Sequence, residues 1–325
     1  MDRRTLLKRS LALLALPVSA GAQVPPRVFR IGFLGGSAPT SPESGHVWQA
    51  FLQGLRDLGY VEGQNIVIEG RYYGDRPEQL PALAAELVKL QVDVIVAAAP
   101  PAPEAARRAT STIPIVMANH ADPVASGLVA SFAKPGGNVT GLSLQARELR
   151  VKQLQLLKEI LPSLTRVAFM RNPTIPFDLN ELQAAARSLK LQAQIVEARD
   201  PNEFAAAFAA ATRQRAGALI VLAGSTFFAH RAQLAALAAE HRLPTVYLLK
   251  ENIDAGGFMA YGPDLRDNFR RAAGYVDRIL KGAKPGDLPI EQPTKFELAI
   301  NLKTARALGI TIPPSVLARV DRIVE

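Results

Sequence analysis

Cysteine is absent from the 325 residues. Its absence excludes thiol catalysis, thiolate zinc and iron–sulfur centres, disulfides and a lipid-modified N-terminal cysteine. No apolar stretch reaches the roughly 18 residues that a membrane-spanning helix needs, so an integral membrane protein is not expected. Histidine is scarce. The four, at positions 46, 120, 230 and 241, make no pair at metal-ligand spacing, and neither a metal nor another cofactor is expected. Nucleotide and hydrolase signatures fail as well. Gly32-Phe-Leu-Gly-Gly-Ser37 does not fit G-x-G-x-x-G, and Gly35-Gly-Ser37-Ala-Pro39 misses the last glycine of G-x-S-x-G. The P-loop pattern does not occur. These gaps point away from an enzyme.

What is present is apolar and evenly charged: 48% of residues are hydrophobic, 21% are charged, and the net charge is +9. Such a chain buries cores rather than staying disordered. At roughly 150 residues per domain, its length suggests two domains. The first residues read as an address. Arg3, Arg4, Lys8 and Arg9 precede the short apolar run Leu11 to Leu16, which Pro17 breaks, and Ala20-Gly-Ala22 supplies the small residues a signal peptidase reads. A signal peptide over 1–22 is therefore expected, with a mature start near Gln23 and a periplasmic destination. Asp2 and Leu6 depart from the twin-arginine pattern around Arg3-Arg4, so the residues leave both the Sec and the Tat route open. Removing 1–22, with four basic residues and one acid, lowers the charge to +6. Lysine and arginine are then spread along the chain without a basic run, so nucleic acid is not an expected partner.

From Arg30 onward strands and helices alternate. Arg30-Ile-Gly-Phe-Leu34 is a continuous apolar run ending in Gly35-Gly36-Ser37, the pattern of a buried parallel strand entering a loop. Trp48, Phe51, Leu52, Leu55 and Leu58 follow at spacings of three and four, one apolar helix face, stopped by Gly59. Ile66–Glu69, Val92–Ala98 and Pro114–Ala118 read as further strands, with helices through Leu80 to Leu90 and Ala105 to Thr110 between them. The succession then repeats. Arg166-Val-Ala-Phe-Met170 matches Arg30–Leu34, Ile195–Glu197 matches Val67–Glu69, Ala218–Leu222 matches Asp93–Ala97, and Leu243–Tyr247 matches Ile113–Met117. A period of about 130 residues is far longer than a solenoid repeat and implies two similar doubly wound α/β lobes. Phe258–Gly262 reads as one more strand, Leu265 to Leu280 as a long helix, and Phe296–Leu302 as another strand before a helix to Leu308. These extra elements suggest that the chain crosses between the lobes several times, which makes a hinge.

Several strings resemble the ABC-transporter substrate-binding proteins of the tryptophan- and tyrosine-binding type. They are Gly54-Leu-Arg-Asp-Leu-Gly-Tyr-Val-Glu-Gly-Gln-Asn65, Asp122-Pro-Val-Ala-Ser-Gly-Leu-Val129, Pro135-Gly-Gly-Asn-Val-Thr-Gly141 and Gly257-Phe-Met-Ala-Tyr-Gly-Pro-Asp264. Gln292-Pro-Thr-Lys-Phe-Glu-Leu-Ala-Ile-Asn-Leu-Lys-Thr-Ala305 and Ile312-Pro-Pro-Ser315 complete them. The resemblance implies a type I periplasmic binding protein: two Rossmann-like lobes joined by a three-crossing hinge. The first lobe would comprise 27–143 plus 264–293, the second 144–263 plus 294–325. It also implies a monomer that holds a small-molecule ligand, an amino acid or similar carboxylate, and hands it to an ABC permease in the inner membrane. Two other roles share the two-lobe plan. A lactose-repressor-type sensor domain would need a DNA-binding head, where this N-terminus carries an export signal. An extracytoplasmic receptor subunit stays equally compatible with the residues.

Ligands of open parallel sheets sit beyond the carboxyl ends of the strands, where loops supply side chains and helix starts supply free N–H groups. The first lobe offers Gly36 and Ser37 after its first strand, Ala99 and Pro100 after the third, and Asn119 and Asp122 after the fourth. The second offers Arg171 and Asn172, then Ser225, then Glu251. Tyr261 and Asp264 lie where the second crossing is expected. A glycine pair before Ser37 suits a carboxylate, and Asp122 suits an ammonium group or, alternatively, a turn before Pro123. Arg171 could pair with an anionic ligand group, and Phe227, Phe228 and Tyr247 are candidates to stack on a ring.

Overall fold

The computed structural model describes residues 27–36, 38–40, 45–74, 76–98, 100–144, 146–175 and 179–325. The leader expected over 1–22 lies outside them. The first half runs β1 (Phe29–Gly35), α1 (Gly45–Asp57), β2 (Ile66–Tyr72), α2 (Leu80–Lys89), β3 (Val94–Ala97), α3 (Ala102–Ala109), β4 (Ile115–Met117) and β5 (Val139–Gly141). Then come α4 (Ala146–Ile160), β6 (Arg166–Arg171), α5 (Leu179–Ser188), β7 (Gln192–Glu197), α6 (Phe204–Arg213), β8 (Ala218–Val221), α7 (Ser225–Ala229) and α8 (Arg231–Glu240). The rest is β9 (Thr245–Tyr247), α9 (Glu251–Asp254), β10 (Met259–Pro263), α10 (Leu265–Leu280), β11 (Phe296–Asn301), α11 (Leu302–Leu308), α12 (Pro314–Leu317) and β12 (Arg322–Val324).

The strands form two sheets. One has the order β2-β1-β3-β4-β5, the other β7-β6-β8-β9-β10 continued by β11 and β12. Pairing is parallel except between β10 and β11. The first five strands of each sheet therefore share one spatial order, and the repeat in the sequence is a repeat of topology. Burial on both faces explains the unbroken apolar runs. Ile31 and Phe33 enter one core with Phe51 and Phe269, while the next residue, Leu34, enters another with Leu80 and Leu87.

Neither lobe is closed by its own half of the chain. Helix α4 follows β5 of the first sheet, yet Leu154, Leu157 and Ile160 pack into the core of the second with Val167 and Phe169. Helix α10 follows β10 of the second sheet, yet Phe269, Ala273 and Val276 pack against Ile31 and Phe51 of the first. The run from α10 back to β11 makes the third crossing. The two outgoing crossings start at glycine. At Gly141, where φ is +130°, a Cβ would lie 2.1 Å from the carbonyl oxygen of Met117, and at Gly262 one would lie 1.9 Å from that of Leu248. No side chain fits where the chain leaves either sheet.

Differences from the sequence reading concern short elements, the strands read over Pro114–Ala118 and Leu243–Tyr247 among them, which shorten to Ile115–Met117 and Thr245–Tyr247. β5 and β12 each span 3 residues, too few to show a period. The strand expected over Val92–Ala98 narrows to Val94–Ala97.

Candidate functional site

The carboxyl ends of the two sheets meet around a cavity of about 330 Å³, within the size range of small-molecule sites. Turns after β1, β3 and β4 bring Gly36, Pro100 and Asn119 to its wall. The β8 exit brings Leu222 to Ser225, the β9 exit Leu248 and Leu249, and the short helices α7 and α9 bring Phe227, Phe228 and Asn252. The two outgoing crossings contribute Leu144 and Leu265, with Phe269 one turn further along α10. The wall is mostly apolar and rich in aromatic rings. Asn119, Asn252, Ser225 and His230 are its polar side chains beside these.

The lobes touch across this cavity. Tyr73, just beyond β2, donates its hydroxyl to Ser225 Oγ at 2.8 Å, and Ser225 in turn points at the carbonyl oxygen of Pro100 at 3.4 Å. Burial raises the Tyr73 phenol above its ordinary pKa, although the bond to Ser225 works in the opposite direction. Burial also raises that of Tyr247. Both phenols stay neutral. On another side of the cleft, His46 Nε2 of α1 lies 3.2 Å from Glu251 Oε1 of α9.

Behind the wall, α4 is tied to the ends of β9 and β10. Gln153 Nε2 donates to the carbonyl oxygens of Tyr247 at 3.1 Å and Tyr261 at 2.9 Å, and Arg150 Nη1 donates to Gln153 Oε1 at 2.9 Å. Arg150 is buried, its Nε and Nη2 have no hydrogen-bond partner, and burial pushes its pKa down to about 10. Among the described residues, no group of three or more metal-ligating side chains comes together, and no helix is long and apolar enough to cross a membrane.

Of the residues singled out from the sequence, Gly36, Pro100, Asn119 and Ser225 line the cavity, as do Phe227, Phe228 and Tyr247. Ser37 and Ala99 lie outside the described residues. The charged candidates sit elsewhere. Asp122 Oδ1 accepts from the Ala125 backbone N–H at 2.9 Å, the turn alternative for Asp before Pro. Arg171 Nη2 donates to the Pro173 carbonyl at 3.2 Å, and its Nε is 3.4 Å from Glu197. Asn172 Oδ1 accepts from the Thr174 N–H at 2.9 Å, closing a tight turn. Glu251 faces His46. Tyr261 stacks on Phe296 with ring centroids 6.1 Å apart. Asp264 caps α10 through the Arg266 N–H at 2.8 Å and pairs with Lys250 at 3.0 Å. Tyr73, Leu144, Asn252, Leu265 and Phe269 were not singled out. Matching Leu144 to Leu265 through the repeat, each three residues after its crossing glycine, was the one signal that would have found a pair of them.

Comparison with known proteins agrees with this geometry. Residues 41–324 match the family model described as ABC transporter substrate binding protein. A tyrosine-binding protein of Clostridioides difficile is 26% identical over 266 residues, which are 81% of this chain and 76% of that protein. A conserved domain protein from Vibrio cholerae superposes with a TM-score of 0.84 at 27% identity, covering 91% of this chain and all of that one. An ABC domain from Streptococcus pneumonia, solved in complex with L-Trp, also gives 0.84, at 25% identity and with the same coverage. The architecture is that of the type I periplasmic binding proteins.

Proposed function

The chain belongs to the ABC transporter substrate binding protein family, and from that premise we propose that it captures a small molecule, an amino acid or similar carboxylate that carries an aromatic ring. It would act outside the cytoplasm and deliver the solute to an ABC permease. The observation that carries this reading is the cavity of about 330 Å³, walled by both lobes and bridged by Tyr73 and Ser225. Phe227, Phe228, Tyr247 and Phe269 supply ring contacts, while Asn119, Asn252, Ser225 and the backbone at Gly36 supply neutral hydrogen-bonding groups. Relatives that bind tyrosine or tryptophan support the choice of solute class.

Capture works by population shift. The lobes open and close about three crossings, and a ligand touching both lobes favours the closed form by its differential affinity; reversing a 1:99 balance takes about 5.5 kcal/mol. The test is a thermal-shift screen of ligand-stripped protein against L-tyrosine, L-tryptophan, L-phenylalanine and aromatic carboxylates. Ligand at 100 times its Kd stabilises by about 2.7 kcal/mol, a visible rise in melting temperature. A flat response across the whole panel would overturn the reading. Asn119→Ala and Phe228→Ala should each weaken the binding of any hit.

A further inference from the structure

A second cavity, of about 600 Å³, lies in the hinge and shares no wall residue with the one between the sheets. Pro263 and Asp264, where β10 leads into α10, form one side of it, and Pro293 and Lys295, on the return to β11, form another. Asp267 and Asn268 belong to the first turn of α10, and Asp321 precedes β12. Asn268 stands out in this wall. It is 1% exposed, and neither the nitrogen nor the oxygen of its side-chain amide has a hydrogen-bond partner. An unmade donor and an unmade acceptor on one buried group are costly, so such an amide calls for a partner. The charged groups around it divide into engaged and available. Asp264 is held by Lys250 at 3.0 Å and Arg266 at 3.1 Å, Glu297 by Lys250, and Asp267 by Arg271 at 3.6 Å. Asp321 Oδ2 accepts only the Leu298 backbone N–H, at 2.8 Å, and has no cationic partner among the described residues. Lys295, likewise exposed, pairs with no carboxylate among them.

We propose that the hinge cavity is a second binding site, for a small hydrophilic α-amino acid, and that its occupation favours the closed lobes. A side-chain amide offers an acceptor and a donor side by side. An α-amino acid offers the complement on neighbouring atoms. Its ammonium donates to Asn268 Oδ1 and is attracted by Asp321, while its carboxylate accepts from Asn268 Nδ2 and is attracted by Lys295. Most of this wall is polar or charged, which suits a ligand without a large apolar side chain. Closure enters because the wall spans two crossings. Rotation of the lobes changes the spacing of Pro263–Asp264 and Pro293–Lys295, so a ligand fitted to the present spacing has a differential affinity for this form. The link to closure rests on the solute-capture reading above; the site itself does not.

Glycine is the probe, with methylamine and acetate as its two halves, in calorimetric titrations carried into the millimolar range. Glycine should bind saturably, and each half at least about tenfold more weakly. Asn268→Leu should weaken glycine at least about tenfold without lowering the melting temperature, because an apolar group of similar size replaces an unpaired amide. Lys295→Gln and Asp321→Asn, both at exposed positions, should each weaken it about twofold to fivefold, and they carry the test if the leucine variant does not fold. Phe228→Ala, in the other cavity, should leave glycine binding unchanged. No glycine binding, or binding that survives all three hinge substitutions, overturns the site. L-tryptophan titrations with and without saturating glycine test the link to closure. Affinity should rise about fivefold or more in the wild type and stay level in Asn268→Leu. A wild-type affinity that ignores glycine overturns that link. Glycine binding that depends on Asn268, in a protein to which no aromatic solute binds, would sink solute capture and leave the hinge site standing.

Discussion

Tyr73 and Ser225 are 152 residues apart in the chain, and their hydroxyl groups meet at 2.8 Å with one on each lobe. The Tyr73 ring is buried in the first lobe's core with Leu34, Leu80 and Leu87, and its hydroxyl reaches across to the other lobe. Tyr73 stands just past the end of a strand of the first sheet, and Ser225 starts α7 over the second. Their bond spans the two lobes, so on the proposed opening and closing of the cleft it contributes to the closed form rather than to the fold of either lobe. A buried hydrogen bond of this kind contributes about 0.5–1.5 kcal/mol. Tyr73→Phe should weaken solute binding by about threefold to tenfold, mainly through faster release, while the melting temperature of the ligand-free protein stays within about 1 °C. Combining it with Ser225→Ala should cost less than the sum of the single changes. Strict additivity would show that the two hydroxyls do not cooperate.

The crossing glycines make a second contrast. Gly262→Ala would drive a Cβ to 1.9 Å from the Leu248 carbonyl, whereas a Cβ on Gly274, inside α10, would meet nothing within 4 Å beyond its own stretch of helix. Gly262→Ala should therefore destabilise by at least about 2 kcal/mol and lower the melting temperature by on the order of 5 °C. Gly274→Ala should raise stability by about 0.5–1 kcal/mol, because alanine is the better helix former. Equal effects from the two substitutions would mean that the crossing is not sterically closed.

Those glycines also show where the sequence stops being legible. The lobes, their alternating strands and helices, and the four cavity residues Gly36, Pro100, Asn119 and Ser225 follow from local patterns: an apolar run, its glycine or proline exit, and the rule that ligands sit beyond strand ends. The repeat made all of this visible twice. Leu265 and Phe269 reach the cavity only because α10 is exchanged onto the other lobe, and Tyr73 meets Ser225 only because the two lobes face each other across the cavity. Both are long-range outcomes that no window of sequence contains. Asp122, Arg171 and Asp264 stood out for their charge, yet a turn N–H, a neighbouring carboxylate and a helix start engage them locally. Charge marks the need for a partner and does not say which one.

Arg150 offers a test of that last statement. Its guanidinium is buried, bonded through Nη1 to Gln153, and lacks a partner at Nε and Nη2. Burying an incompletely paired cation costs more than its single bond returns. Arg150→Met keeps most of the volume and removes the charge, and should raise stability by about 1 kcal/mol, read as a higher urea midpoint with an unchanged slope. A loss of several kcal/mol instead would show that the cation is compensated in the folded protein.

Asp264 should govern part of the acid sensitivity. Burial on its own would raise its pKa, but hydrogen bonds from Arg266 and Lys250 outweigh that and hold it at about 2, below the ordinary 3.8. A carboxylate depressed in the folded state stabilises above its unfolded value and loses that contribution as pH falls, here between about pH 4 and 2. Asp264→Asn is the suitable comparison, because asparagine also caps a helix start and only the charge is removed. At pH 6 the wild type should melt above the variant. By pH 2.5 the gap should have narrowed, since the wild-type carboxyl is then losing its advantage over the unfolded chain. A gap of equal size at both pH values would mean that Asp264 stabilises α10 as a neutral cap and that its pairing with Lys250 and Arg266 adds nothing.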